Sequence, residues 1–86
     1  MPTISTFYGI IIRRFYDEHG PPHFHAAYQG YQAVIDIRTL EVKMGRLPRR
    51  ALNLALDWAE LHQDELLTNW HLIEEGRPLS AIRPLE

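Results

Sequence analysis

Three histidines and an aspartate carry most of the chemistry that this chain could perform. His23 and His25 lie two apart in His23-Phe24-His25-Ala26-Ala27-Tyr28, a segment that reads as a β-strand. Both imidazoles then project to one face, with roughly 6–7 Å between their Cα atoms. Asp36 falls across from His23 on the next strand if the intervening turn is Gln29-Gly30. A base, an acid and an orienting carboxylate suffice for metal-independent RNA cleavage at a 2′-hydroxyl, given a cation for the phosphate. His23, His25 and Asp36 are therefore the candidate catalytic residues. With His19 added, the same group offers a second chemistry. Two histidines and a carboxylate suit zinc, iron or nickel and leave a position open for water or substrate. The third reading is structural, because His-x-His on a strand is a frequent chance pattern and His23 can simply close the strand start after Pro22.

Lys43, Arg46, Arg49 and Arg50 form the second polar cluster, and three of them surround Pro48 at the start of a helical pattern. The unpaired N–H groups and dipole of a helix start favour an anion, so the cluster is a candidate phosphate or nucleic-acid contact. Against this, arginine in a first turn opposes the dipole, and such residues are often only solvated. Arg13 and Arg14 point to opposite faces of their strand, so one of them can serve the histidine face. His62 and His71 belong to helices. Phe7, Phe15, Phe24, Tyr28, Tyr31, Trp58 and Trp70 read as core, with Trp58 and Trp70 expected to meet between the helices. Tyr8 and Tyr16 are less settled: either hydroxyl could approach the histidine face from the neighbouring strand.

These residues need a frame, and the hydrophobic period changes once along the chain. Residues 3–44 are rich in β-branched and aromatic residues broken by Gly and Pro, while residues 48–75 are rich in Leu and Ala. The expected fold is α+β: an N-terminal antiparallel sheet of three to four strands, over about residues 4–44, packed against two C-terminal helices. One long strand is expected from Ile4 to Tyr16, with Gly9 as a bend, and then a turn at residues 17–22. The clearest hairpin pairs His23–Tyr28 with Tyr31–Ile37. Its two-residue loop sets Tyr28 against Tyr31, Ala26 against Ala33 and Phe24 against Ile35 on an apolar face. Ala27 with Gln32, His25 with Val34 and His23 with Asp36 share the other. A short strand follows near Val42–Met44. Helices are expected at about 48–62, with Pro48 in its first turn, and 65–75, capped by Asp64 and ended by Gly76. The tail 77–86 reads as an extended strap held by Leu79, Ile82 and Leu85.

The 86 residues make one domain, which buries only roughly 60–65% of its unfolded surface, so association would add stability. The absence of cysteine excludes disulfides and thiolate metal sites and fits a cytoplasmic protein. No apolar run approaches the ~20 residues of a membrane span. The formal net charge of −2 argues against nucleic-acid binding by bulk charge while leaving room for a local basic patch.

Pro2-Thr3-Ile4, Phe7-Tyr8-Gly9-Ile10, His19-x-Pro21-Pro22-His23-Phe24-His25-Ala26, Gly45-x-Leu47-Pro48 and Glu65-Leu66 with Asn69-Trp70 stand together in this order. That combination resembles the bacterial family named domain of unknown function 4160. The family usually has Thr-Gly-Glu where this chain reads Thr39-Leu40-Glu41. The resemblance implies no catalytic residues, since the family is functionally uncharacterised. It does imply a partner: members are commonly encoded beside a small protein of the family numbered 2442, in a toxin–antitoxin-like arrangement. The leading expectation is one half of such a module, an RNA-cleaving toxin that needs no cofactor. The alternatives are a non-catalytic protein-binding or regulatory module, with a homo-oligomer among the forms it could take, and a protein using a divalent metal at His19, His23, His25 and Asp36.

Overall fold

Two Xaa-Gly dipeptides reverse the chain with no residue to spare. Tyr8 and Gly9 have φ of 49° and 80°, and Gln29 and Gly30 have φ of 46° and 85°. Positive φ at both central residues defines the type I′ turn, whose twist matches that of the strands it joins. The computed structural model describes residues 3–14 and 19–86. It contains β1 (Thr3–Phe7), β2 (Ile10–Arg13), β3 (His23–Tyr28), β4 (Tyr31–Asp36), β5 (Val42–Gly45), α1 (Arg49–Leu61) and α2 (Gln63–Glu74). The strands form one antiparallel sheet in chain order. The α+β class is as expected, but the sheet has five strands rather than three to four. The long first strand is in fact the β1–β2 hairpin, with Phe7 opposite Ile10. Tyr is an unusual first residue for such a turn, which is why Gly9 reads as a bend. Phe15 and Tyr16, the expected end of that strand, and Asp17 and Glu18 of the expected turn lie outside the described residues.

The β3–β4 register is the expected one at every pair from His23↔Asp36 to Tyr28↔Tyr31. It divides the sheet into two faces. Ile4, Phe7, Ile10, Ile12, Phe24, Ala26, Ala33 and Ile35 are buried on one of them. The helices cover that face. Ala51, Ala55 and Ala59 are small enough for α1 to approach closely, and Trp58 inserts between Phe7 (5.4 Å between ring centroids) and Phe24 (5.9 Å). Leu66, Trp70 and Ile73 line the inner side of α2. Trp58 and Trp70 do not form the expected ring pair among the described residues, because the sheet's own aromatics take Trp58.

Pro48 has ψ of 148°, so it caps α1 from outside the helix and does not open it. A single residue, His62, separates the helices, ending α1 and capping α2. Asp64 therefore sits inside the first turn of α2, where its charge suits the dipole, and is not the cap. At the far end the Gly76 N–H donates to Ile73 O at 3.0 Å and the Arg77 N–H to Leu72 O at 2.8 Å. This is a Schellman closure with Gly76 at φ 73°. The strap is then pinned to the body. Asn69 and Ser80 exchange two hydrogen bonds of 2.7 and 2.8 Å, the Trp58 indole N–H donates to Arg83 O at 2.8 Å, and the Ile82 N–H donates to Ile4 O at 2.9 Å. The last bond ties the strap to the edge of β1 at Ile4.

Gly45 and Gly76 share φ of 73° but not their surroundings. A Cβ on Gly45 would lie 2.1 Å from Gln32 O, whereas one on Gly76 would meet nothing within 4 Å. Gly76→Ala is expected to cost about 1–2 kcal/mol, the left-handed penalty alone. Gly45→Ala is expected to cost roughly twice that or more, since backbone must also move. Urea unfolding of the two variants measures the difference. Equal losses would show that the Gly45–Gln32 approach is not tight.

Candidate active site

The face of the sheet away from the helices carries the histidines, as the alternation requires. His23 and His25 project from β3 with ring centroids 5.5 Å apart and planes at 64°. Register sets His25 between Arg13 on β2 and Val34 on β4, and sets His23 against Asp36. A cavity of about 600 Å³ opens over them, lined by His19, Pro21, His23, His25, Val34, Asp36, Lys43 and Met44. All the residues expected in the histidine site therefore reach one cavity. His23 Nδ1 lies 2.9 Å from Pro21 O. A carbonyl oxygen only accepts, so Nδ1 carries a proton in this contact and the neutral ring holds its lone pair on Nε2. Trp70 backs the same imidazole at 5.0 Å, and the Arg14 guanidinium lies 3.7 Å from the Trp70 ring centroid.

Asp36 also has a structural part that the pattern does not announce. Its Oδ1 accepts the N–H groups of Arg38 (2.8 Å) and Thr39 (2.9 Å), while its backbone bonds Leu40 and Glu41. The carboxylate thus shapes the turn that leads into β5. The Thr39 N–H holds the carboxyl below its ordinary range, helped by the Arg38 N–H, the Thr39 side chain and the charge of Lys43, while burial pulls the other way. The side chain is largely out of water, and its Oδ1 is committed to backbone donors that shape the cleft. Among the described residues, no three His, Asp or Glu side chains are grouped so as to hold a metal ion.

The basic cluster disperses. Lys43 joins the histidine cavity, with Nζ 3.8 Å from a Glu41 carboxylate oxygen. Arg46 lies over the Tyr31 ring at 5.3 Å. Arg50 lines a separate cavity with Tyr8 and Tyr28, and Arg49 is exposed in the first turn of α1. Tyr8 is thus at the hairpin tip instead of near the histidines, because the chain turns there. Pairing β2 with β3 picks out Arg13 as the one of the two expected arginines beside His25. Trp70 escapes a sequence reading, being far from His23 in sequence with no local signal linking them.

Over residues 9–71 the chain matches the family described as Domain of unknown function (DUF4160). The chain belongs to that family. No curated protein and no solved structure matches it. The DUF4160 match spans both histidines, the Asp36 turn and Trp70. Leu40, which stands where the resemblance expects glycine, has φ of 60°. Leucine is strained in this left-handed position, which glycine would fill without cost, and its side chain is half-buried against the core.

Asp36→Ala is expected to lower unfolding free energy at neutral pH by about 1–2 kcal/mol, as loss of a cap does. The folded carboxyl lies below its unfolded value, so its contribution is complete above the unfolded value and disappears as pH falls through the folded one. The stability gap between wild type and Asp36→Asn is therefore expected to shrink between neutral pH and about pH 3. A gap constant with pH, measured by urea unfolding, would show that the charge is not engaged.

Proposed function

We propose that this DUF4160 protein is the RNA-cleaving member of a two-protein, toxin–antitoxin-like module, acting without a metal. The observation that carries the reading is the pair of imidazoles 5.5 Å apart in one open cavity, flanked by Arg13 and Lys43. The Pro21 carbonyl orients His23 so that Nε2 of the neutral ring is the basic atom. In the proposed step His23 Nε2 takes the proton of a ribose 2′-hydroxyl, and the oxygen attacks the adjacent phosphorus. The P–O5′ bond breaks, and the departing oxygen takes a proton from the His25 imidazolium. The products are a 2′,3′-cyclic phosphate and a 5′-hydroxyl, and a second proton exchange with water resets the two rings. Lys43 and Arg13 would offset the charge that builds on the phosphoryl oxygens. The partner expected from the family resemblance would act by covering this face of the sheet. The described residues contain no helix long and apolar enough to cross a membrane.

One observation favours a non-catalytic reading. Pro21, Val34 and Met44 make much of the cavity wall, Met44 is 69% exposed, and among the described residues β5 ends the sheet without a covering strand. An apolar face of this kind also suits a protein partner.

Purified protein with single-stranded RNA in the presence of a chelator separates the readings. Cleavage with 2′,3′-cyclic phosphate ends is expected. His23→Ala and His25→Ala are each expected to slow it by about 100-fold or more, and Lys43→Ala by roughly tenfold. Equal cleavage by wild type and both histidine variants would expose a contaminant. No cleavage by folded wild type would leave partner binding as the function of the face.

A further inference from the structure

The histidine cleft continues past His25. A shallower cavity of about 240 Å³ extends it between β4 and β5, lined by His25, Gln32, Ala33, Val34, Met44 and Gly45. Gly45 leads directly into Arg46, whose N–H donates to Gln32 O at 2.8 Å and whose guanidinium lies over Tyr31. Tyr31 pairs with Tyr28 across the hairpin. Tyr28, Tyr8 and Arg50 then line a further cavity of about 330 Å³ with Ala51 and Leu54 of α1. Tyr28 and Tyr31 alternate onto the helix-covered face, opposite His25. The two hairpin tips, with their tyrosine rings and guanidinium groups, are therefore reached from the cleft around the end of the sheet past Arg46.

Two independent features of that end point to a ligand. Tyr8 is 60% exposed at a left-handed backbone position, φ 49°. Asn or Gly would make the same turn without the steric cost of a bulky residue, so the exposed ring is not explained by the turn. Charge is the second feature. No carboxylate occurs between Glu41 and Asp57, a stretch that contains Lys43, Arg46, Arg49 and Arg50. The acids Asp57, Glu60, Asp64, Glu65, Glu74 and Glu75 are all carried further along the helices and the turn after them. The net charge of −2 thus conceals a basic end.

We propose that this end is a platform for single-stranded nucleic acid: bases stack on Tyr8, Tyr28 and Tyr31, and phosphates meet Arg46 and Arg50. The platform deepens the cleavage reading, on which it rests only for its destination, the histidine cleft. Stacking is tolerant of sequence because every base has a π face, so the platform selects for an unpaired strand and not for a particular base.

The probe is a mixed-sequence single-stranded oligodeoxynucleotide, which lacks the 2′-hydroxyl and reports binding without cleavage. Fluorescence anisotropy compares wild type with Tyr8→Asn and Arg50→Gln. Asn tolerates left-handed backbone, so Tyr8→Asn removes the ring and keeps the turn. Each variant is expected to keep the wild-type thermal transition and to bind roughly tenfold more weakly. Arg50→Gln is also expected to flatten the slope of log K against log salt by about 0.7. Wild-type binding that neither substitution weakens overturns the platform, as does failure of wild type to bind at low salt. The cleavage reading fails separately: a wild type that binds through Tyr8 and Arg50 but cuts no RNA keeps the platform and removes the nuclease.

Discussion

A hairpin closed by two residues has one register, and here that register decides which side chains meet water. Gln29-Gly30 sets Phe24 against Ile35 and His25 against Val34. A slip by one residue would move His25 and Asp36 under Trp58 and bring Phe24 and Ile35 to the surface. Burying those polar groups without partners costs several kcal/mol, and exposing each large apolar side chain costs about 1.5–3 kcal/mol more. The alternation and the turn therefore enforce the same answer, and the paired imidazoles on an open face follow from it. Tyr8-Gly9 repeats the device one hairpin earlier, which brings Arg13 beside His25.

The rest of the molecule covers one side of this sheet and leaves the other. Two helices separated by a single residue are enough for a five-stranded layer, provided that α1 sits close, and its buried alanines allow that. The C-terminal strap completes the cover by tying to the β1 edge through Ile82 and fastening to α2 through Asn69. No corresponding segment among the described residues covers β5, the other end of the strand order. The molecule is thus tied down at one edge and covered on one face, and the open edge adjoins the histidine cleft through Met44 and Lys43. Catalysis and partner binding would compete for the same ground, which is the arrangement an inhibited enzyme needs.

Legibility followed how local each cause is. The β3–β4 pairing could be read residue by residue because Gly in a two-residue loop and strict alternation are both short-range signals. The helices were visible to within two residues for the same reason. The β1–β2 turn was not, because Tyr8 occupies a position where its side chain is disfavoured, so the propensity signal pointed the wrong way. The pattern places Asp36 opposite His23 but gives no sign of its backbone partners, the Arg38 and Thr39 N–H groups, which lie in a loop whose shape no pattern announces. The basic cluster looked single because its members are close in sequence. Alternation on β5, a tight bend and the helix start send Lys43, Arg46 and Arg50 to three different surroundings. Trp70 behind His23 is the purely tertiary case.

That dispersal gives Gly45 its importance. It joins the strand that contributes Lys43 and Met44 to the cleft with the helix that contributes Arg50 to the hairpin tips. Its backbone passes so close to Gln32 that no side chain fits, and the Arg46 N–H bonds the same carbonyl. A looser connection would let α1 start farther from the sheet. Arg50 would then part from Tyr8 and Tyr28, and Arg46 from Tyr31, while the histidine cleft stayed whole. The spacing between the histidine cleft and the hairpin tips is therefore set by one glycine. The same tight turn carries the chain from the histidine face, where Lys43 and Met44 stand, to the helix-covered face, where Arg50 meets Tyr8 and Tyr28.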